Sequence, residues 1–321
     1  MEQHRSIARA VSLDLGGTRF RVAVGTDEGK IEWRVSRSTE VTRGLDAVLQ
    51  SLFQAIDEAI AVAGGASMVN GIGVAAPGPL DPWTGVIVNP PNMPGWTRVP
   101  LKQLFEDRYD VPATVVNDAN LAAVGEHRYG AGRGLKDVVY VTVSTGIGGG
   151  VIIDNQLFLG HNGFAGEIGH ITVDMHGERC ACGNIGCLEA LASGTSIARH
   201  AREAVAAGER TALNTIQPDL ITAKDVTDAA YRGDEVAQRL LREAGISLGV
   251  GIVNLAHLFN PERVILGGGV SLNAGRILWD AIHEIVRART MAPCLRDLEV
   301  VPASLGDDAG LLGGIAVASK C

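Results

Sequence analysis

Several residues in this chain have types and spacings that could do chemistry. Asp14-Leu15-Gly16-Gly17-Thr18 puts a carboxylate and a hydroxyl beside paired glycines. Ser144-Thr145-Gly146-Ile147-Gly148-Gly149-Gly150 is a second such turn, and Gly267-Gly268-Gly269 a third glycine run after a strand. Glycine lets a chain turn tightly enough to aim several backbone N–H groups at one phosphate, and Asp14 could hold the hydration shell of a Mg²⁺ ion. Read singly, each turn is an ordinary hairpin; together they point to phosphate cradles. None has the spaced P-loop or the dinucleotide glycine pattern.

His170 with Cys180, Cys182 and Cys187 is a second constellation. One imidazole and three thiolates form a tetrahedral zinc set, and Gly183 and Gly186 allow the knuckle to wrap a small ion. The competing reading is free or redox-active cysteines, since residues two apart seldom reach disulfide geometry. With no open coordination position implied, the ion would brace rather than catalyse. Glu167 and Glu189 flank the knuckle. A metal-bound imidazole keeps a fixed donor on its other nitrogen, and two carboxylates beside it would accept from hydroxyls, as a sugar requires. Either glutamate alone reads equally well as a solvated charge. Asp118, in Asn117-Asp118-Ala119-Asn120, sits where a buried strand meets a helix. It is either the helix N-cap or the base that accepts a hydroxyl proton during phosphoryl transfer.

These residues need elements to hold them. Strand-like and helix-like blocks alternate along the chain, which predicts α/β. Ala10 to Leu15 and Arg19 to Val24 read as a hairpin, Gly44 to Val62 as a helix and Gly71 to Ala76 as a strand ending at Pro77-Gly78-Pro79. Asp81 to Pro100, with five prolines, reads as a long irregular loop. Further strands are expected at 114–116, 138–143, 151–154, 263–266 and 300–302. Helices are expected at 119–129, 196–207, 235–259, 277–289 and 309–319. Strand, glycine turn and returning strand occur near residue 14 and again near 145, as if two related α/β halves each present a hairpin.

The chain has 321 residues, 46% of them hydrophobic and 20% charged, which excludes intrinsic disorder and favours two domains. Its 41 glycines and 4% aromatics predict aliphatic cores. A net charge of −8 argues against nucleic-acid or anionic-membrane binding. No apolar run reaches membrane-spanning length, and the opening Met-Glu-Gln-His-Arg has no signal-peptide character. Crowded thiols suit a reducing cytoplasm; Cys294 and Cys321 read as bystanders.

The quoted motifs, in this order and covering nearly the whole chain, resemble the ROK family (repressors, open reading frames, sugar kinases), most closely its bacterial glucokinase branch. The knuckle with its Glu167-Ile-Gly-His170 partner is the most specific of them. The resemblance implies a two-domain actin-like ATPase (ribonuclease H-like) fold with a ligand cleft between domains. The small domain would be 1–117, completed by the C-terminal helix at about 305–321, and the large domain 118–304. It also implies ATP with Mg²⁺, a structural Zn²⁺ on His170, Cys180, Cys182 and Cys187, and transfer of the γ-phosphate to a hexose 6-hydroxyl.

By the same resemblance, Asp118 is the base, and Asn117, Glu167, His170, Glu189 and Gly78 contact sugar. Asp14, Gly16, Gly17, Thr18, Thr145 and Gly146 match the positions that hold phosphates and metal, and Gly267, Gly268 and Gly269 the turn near the nucleoside. Family members form homodimers or homotetramers. N-acetylmannosamine, N-acetylglucosamine, fructose and allose stay open as substrates beside glucose, and polyphosphate as donor beside ATP. A non-catalytic sugar sensor would have no use for the cradles. The family's DNA-binding repressors carry a helix-turn-helix ahead of the first motif, where only thirteen residues precede Asp14.

Overall fold

The computed structural model describes residues 9–319, which places Cys321 and the opening residues outside the described part. The chain divides into two compact units. One runs to Gly134, with Leu157–Ala165 and everything from Asp307 added; the other comprises Leu135–Gln156 and Gly166–Gly306.

The first unit begins with β1 (Arg9–Leu15), β2 (Arg19–Thr26), β3 (Ile31–Ser38), α1 (Leu45–Ala63) and β4 (Val69–Ala76). Then come three two-residue strands, β5 (Leu80–Asp81), β6 (Val86–Ile87) and β7 (Val99–Pro100), followed by α2 (Leu101–Tyr109), β8 (Ala113–Asn117) and α3 (Asp118–Tyr129). The main sheet runs β3-β2-β1-β4-β8, antiparallel on the β3–β1 side and parallel from β1 to β8. β1 is buried at Ala10, Val11, Ser12, Leu13 and Leu15, a near-continuous apolar run that suits a sheet covered on both faces. One core joins Val11, Leu13 and Val22 to Leu52 and Ile56 of α1 and Phe105 of α2.

Two readings change here. The stretch from Asp81 to Pro100 is not a free loop: β5, β6 and β7 pair antiparallel, and Met93 and Trp96 enter the core. Burying an indole and a thioether anchors a backbone that prolines alone would leave irregular. The first unit also extends past Asn117, because α3 packs against the last helix and stays with this sheet.

The second unit holds β9 (Val138–Val143), β10 (Ile147–Ile153), the first residue of β11 (Gln156–Leu157), α4 (Leu188–Ala192), α5 (Gly194–Ala206), α6 (Ala223–Tyr231) and α7 (Glu235–Phe259). β12 (Arg263–Gly267), α8 (Gly269–Asn273), α9 (Gly275–Arg289), α10 (Ala292–Leu295) and β13 (Glu299–Pro302) follow. Its sheet runs β11-β10-β9-β12-β13, with β9 and β10 antiparallel and β9, β12 and β13 parallel. The connectivity pattern is that of the first sheet, so the echo seen in sequence is a topological repeat. α7 carries the core through Leu241, Leu248 and Ile252 against Leu278 and Ile282 of α9. Among the described residues, no helix is long and apolar enough to cross a membrane.

The last helix, α11 (Ala309–Ala318), returns to the first unit and lies on β1, β4 and α3. The approach is backbone to backbone: a Cβ at Gly313 would overlap the Leu121 carbonyl, and one at Gly73 the Gly314 carbonyl. Only glycine permits that separation.

Candidate active site

In the first unit the chemistry gathers at the C-terminal ends of β1 and β8. Parallel strands release their chain there into helix N-termini, where ligands of open α/β sheets usually bind. Asn117 caps α3, its side-chain oxygen accepting from the N–H groups of Ala119 (3.0 Å) and Asn120 (3.4 Å). The cap is therefore supplied by the neighbour of Asp118 and not by Asp118 itself. Asp118 instead takes the first helical position, with Oδ1 accepting from the Ala119 N–H at 2.8 Å.

The Asp118 side chain keeps an exposed face. The protein massed around it still raises its carboxyl above the ordinary aspartate value by desolvation; the Ala119 N–H opposes this, and the Asp14 charge raises it further. Gly78 lies beside the pair, since a Cβ there would sit 3.7 Å from Asn117 Nδ2.

Asp14 is not alone. Arg21, its registered partner across the hairpin, donates from Nε at 3.0 Å and makes a closer contact through a terminal nitrogen. The tip itself corrects one expectation. The Gly16 N–H closes the turn on the Arg19 carbonyl (3.0 Å), so it is not available to a phosphate. Gly17 and Thr18 have no backbone partner for their N–H groups among the described residues. Gly17 is obligatory for space, because its Cβ would lie 2.7 Å from the Asn92 carbonyl oxygen.

In the second unit, the tip at Thr145 and Gly146 is tied back by other elements. The first N–H groups of α5, which a helix cannot pair internally, donate to the tip carbonyls: Gly194 to Ser144 (2.8 Å) and Thr195 to Thr145 (3.2 Å). Thr195 Oγ1 adds a bond to the same Thr145 carbonyl at 2.8 Å. Glu189 Oε2 accepts from the Ile147 N–H at 2.8 Å. Ser144, Thr145, Gly194, Thr195 and Gly269 line a cavity of about 760 Å³, within the size range of small-molecule sites. Ala198, Ile221, Ala223 and Val270 give it an apolar wall, and Arg202, Lys224, Asp228 and Asn273 bring polar groups.

Of the third glycine run, only Gly269 reaches this cavity. Gly267 is packed against Tyr140, and Gly268, at φ +87°, crosses close to the Val143 carbonyl. The cavity walls from α5 and α6 escaped the sequence reading. Lys224 and Asp228 show there only as an i,i+4 pair, here bonded at 2.6 Å, a pattern common on exposed helices.

The knuckle gathers as its spacing implies. One ligand atom each from His170, Cys180, Cys182 and Cys187 lies within 4.8 Å of the other three. His170 Nδ1 is 3.7 Å from Cys180 Sγ, and Cys182 and Cys187 Sγ are likewise 3.7 Å apart. Tetrahedral zinc with bonds of about 2.3 Å to sulfur sets S···S edges of about 3.8 Å, whereas a disulfide needs about 2.05 Å. The residues therefore fit a zinc ion, with Nδ1 the His170 nitrogen that faces Cys180 Sγ. Two isolated bridges, Thr172 with Cys187 and Arg179 with Ile185, hold the loop. Glu167 is exposed at the head of the short turn that carries His170, and Glu189 lies two residues past Cys187, on α4.

The structure thus brings Asp14, Gly78, Asn117 and Asp118 together in the first unit. It brings Thr145, Gly146 and Glu189, with Glu167, His170 and the three cysteines, into the second.

A sequence profile of the ROK family matches residues 10–321. The chain is 36% identical to a glucokinase of Thermotoga maritima over 96% of both chains. It is 30% identical to a xylose repressor of Caldicellulosiruptor bescii over 99% of this chain and 79% of that protein. A crystal structure of a ROK family glucokinase from Streptomyces griseus in complex with glucose and AMPPNP superposes with a TM-score of 0.79 at 36% identity, covering 98% of this chain and 100% of that one. With a profile match across nearly its whole length and the two-domain actin-like ATPase fold in place, the chain belongs to the ROK family.

Proposed function

We propose that this chain is an ATP-dependent hexose kinase that phosphorylates the 6-hydroxyl of glucose. The observation that carries the reading is the division of labour at the start of α3. Asn117 caps the helix, and Asp118 is left accessible, with a proton affinity above that of an ordinary aspartate. A carboxylate poised in this way suits general-base work better than capping. The likeness to kinases solved or named with glucose supplies the substrate.

Asp118 accepts the hydroxyl proton at its carboxylate as the sugar oxygen attacks the γ-phosphorus in line. Gly78 and Asn117 border the space next to it. In the second unit, Glu167, the outward nitrogen of His170 and the free oxygen of Glu189 supply alternating acceptors and a donor for sugar hydroxyls. His170, Cys180, Cys182 and Cys187 would hold a zinc ion, and that bond would fix the orientation of the His170 ring. The apolar cavity takes the nucleoside, and the N–H groups of Thr145 and Gly146 meet its phosphates. Asp14, with one oxygen held by Arg21, offers the other to the hydration shell of Mg²⁺, which neutralises phosphate charge when bound.

A coupled ADP-release assay across glucose, fructose, allose, N-acetylglucosamine and N-acetylmannosamine tests the reading. Glucose should give the highest kcat/KM. Nucleotide consumption that ignores added sugar would sink it, and preference for an N-acylated sugar would replace glucose while keeping the reaction.

A further inference from the structure

Glu189 belongs to the sugar-reading set by its motif, yet its geometry ties it to the phosphate-binding turn. Its Oε2 accepts the Ile147 N–H at 2.8 Å, at the first residue after the Thr145–Gly146 tip. The same oxygen lies so close to the tip that a Cβ added at Gly146 would stand 2.5 Å from it. The glutamate itself is firmly placed. Its carbonyl accepts from the Ser193 N–H at 3.2 Å and from Ser196 Oγ at 2.7 Å, and both serines are buried. Ser193 caps α5, whose next two N–H groups hold the Ser144 and Thr145 carbonyls. Two residues before Glu189, Cys187 enters the metal-binding group.

We propose that Glu189 is a positioning residue for the phosphate hairpin, fixing the tip through the Ile147 N–H, in addition to contacting sugar. With the carbonyls of Ser144 and Thr145 tied to α5 and the Ile147 N–H tied to Glu189, the tip has a single path. The N–H groups of Thr145 and Gly146 are then set before a nucleotide arrives. Preorganisation of this kind adds to phosphate affinity without any direct contact to the ligand. One carboxylate thereby serves two substrates: Oε2 orders the donor's cradle, and Oε1 remains for a sugar hydroxyl. The inference rests on the kinase reading and extends it to a residue that reading assigns to sugar alone.

The test is nucleotide affinity in the complete absence of sugar, measured by titration calorimetry with AMPPNP and, by competition, with adenosine. Glu189→Ala removes the acceptor and should weaken AMPPNP by about tenfold, the scale of one charge-assisted bond, while leaving adenosine unchanged. Glu189→Gln keeps a carbonyl that can accept the Ile147 N–H, so AMPPNP affinity should stay within about threefold of wild type, although glucose affinity falls. Zinc content and thermal midpoint are recorded for each variant, so that a collapsed protein is recognised by a lowered midpoint before any affinity is compared. Equal AMPPNP affinity in Glu189→Ala and wild type overturns the proposal. So does a loss shared equally by adenosine, or one as large in Glu189→Gln. Wild-type protein that binds no nucleotide would instead refute the kinase reading on which it stands.

Discussion

The two hairpins occupy the same place in two sheets of the same order; four residues, Gly16 to Arg19, lie between the last paired residues of the first, and three, Ser144 to Gly146, in the second. Counted back from that last pair, the two ladders correspond. Leu15 opposite Phe20 corresponds to Val143 opposite Ile147, and Asp14 opposite Arg21 to Thr142 opposite Gly148. Where the first hairpin carries its own acid and the cation that holds it, the second has a hydroxyl and a glycine. The second acquires its carboxylate from outside, through Glu189 of α4, and its carbonyl anchors from α5. Both tips have carbonyls held from outside, since Thr39, beyond β3, donates to the Gly16 and Thr18 carbonyls of the first at 2.6 and 3.0 Å. The difference lies in the acid: the first hairpin has Asp14 on its own strand, and the second borrows Glu189 from α4.

The largest separation between the two sides should come from Asp118→Asn. Turnover should fall by about 10²- to 10⁴-fold, while AMPPNP affinity should be retained. Unchanged kcat in a single-turnover assay would remove Asp118 from the base role. Next in size, stripping the metal with a chelator or by Cys182→Ser should cost about 10- to 100-fold in glucose affinity, as loss of orienting partners does elsewhere. Calorimetry on a metal-free protein that binds glucose like the metal-loaded one would contradict the bracing role.

A stability change confined to the first side follows from its backbone contacts. Gly313→Val would force α11 off α3 and should lower stability by about 1–3 kcal/mol, the range for overpacked cores. A thermal midpoint equal to wild type would show that the helices yield. The smallest effect concerns pH. Because desolvation and the Asp14 charge raise the Asp118 carboxyl, a larger fraction is protonated at any acidic pH than for a free aspartate. The acid limb of kcat should therefore lie above the ordinary value of 3.8, activity being lost as pH falls through it. Arg21→Gln exposes the full Asp14 charge and should move that limb further up. A downward shift would mean that Arg21 does not shield Asp14.

Much of this was legible because the relevant signals are local. Alternation around Gly16 and Gly17 gives a hairpin whatever surrounds it, and three cysteines within eight residues of one another leave little but a metal knuckle. What stayed hidden depends on distant partners. Met93 and Trp96 read as parts of a proline-rich loop until the core that receives them is known. The assignment of α3 to the first unit depends on α11, nearly two hundred residues downstream in sequence. The cavity wall draws Thr195, Lys224 and Asn273 from three different helices, whose periodicity reveals an apolar side but not what the other side encloses. Asn117 and Asp118 are equally good capping residues by type, and only geometry separates them.

The return of α11 to β1, β4 and α3 bears on the order of events during synthesis. Leaving the ribosome from the N-terminus onward, the chain completes every segment of the second unit by Gly306, whereas the first unit still lacks the helix that backs its central strands. The part translated first is finished last, so the earliest stable intermediate on the nascent chain should be the half that carries the zinc knuckle.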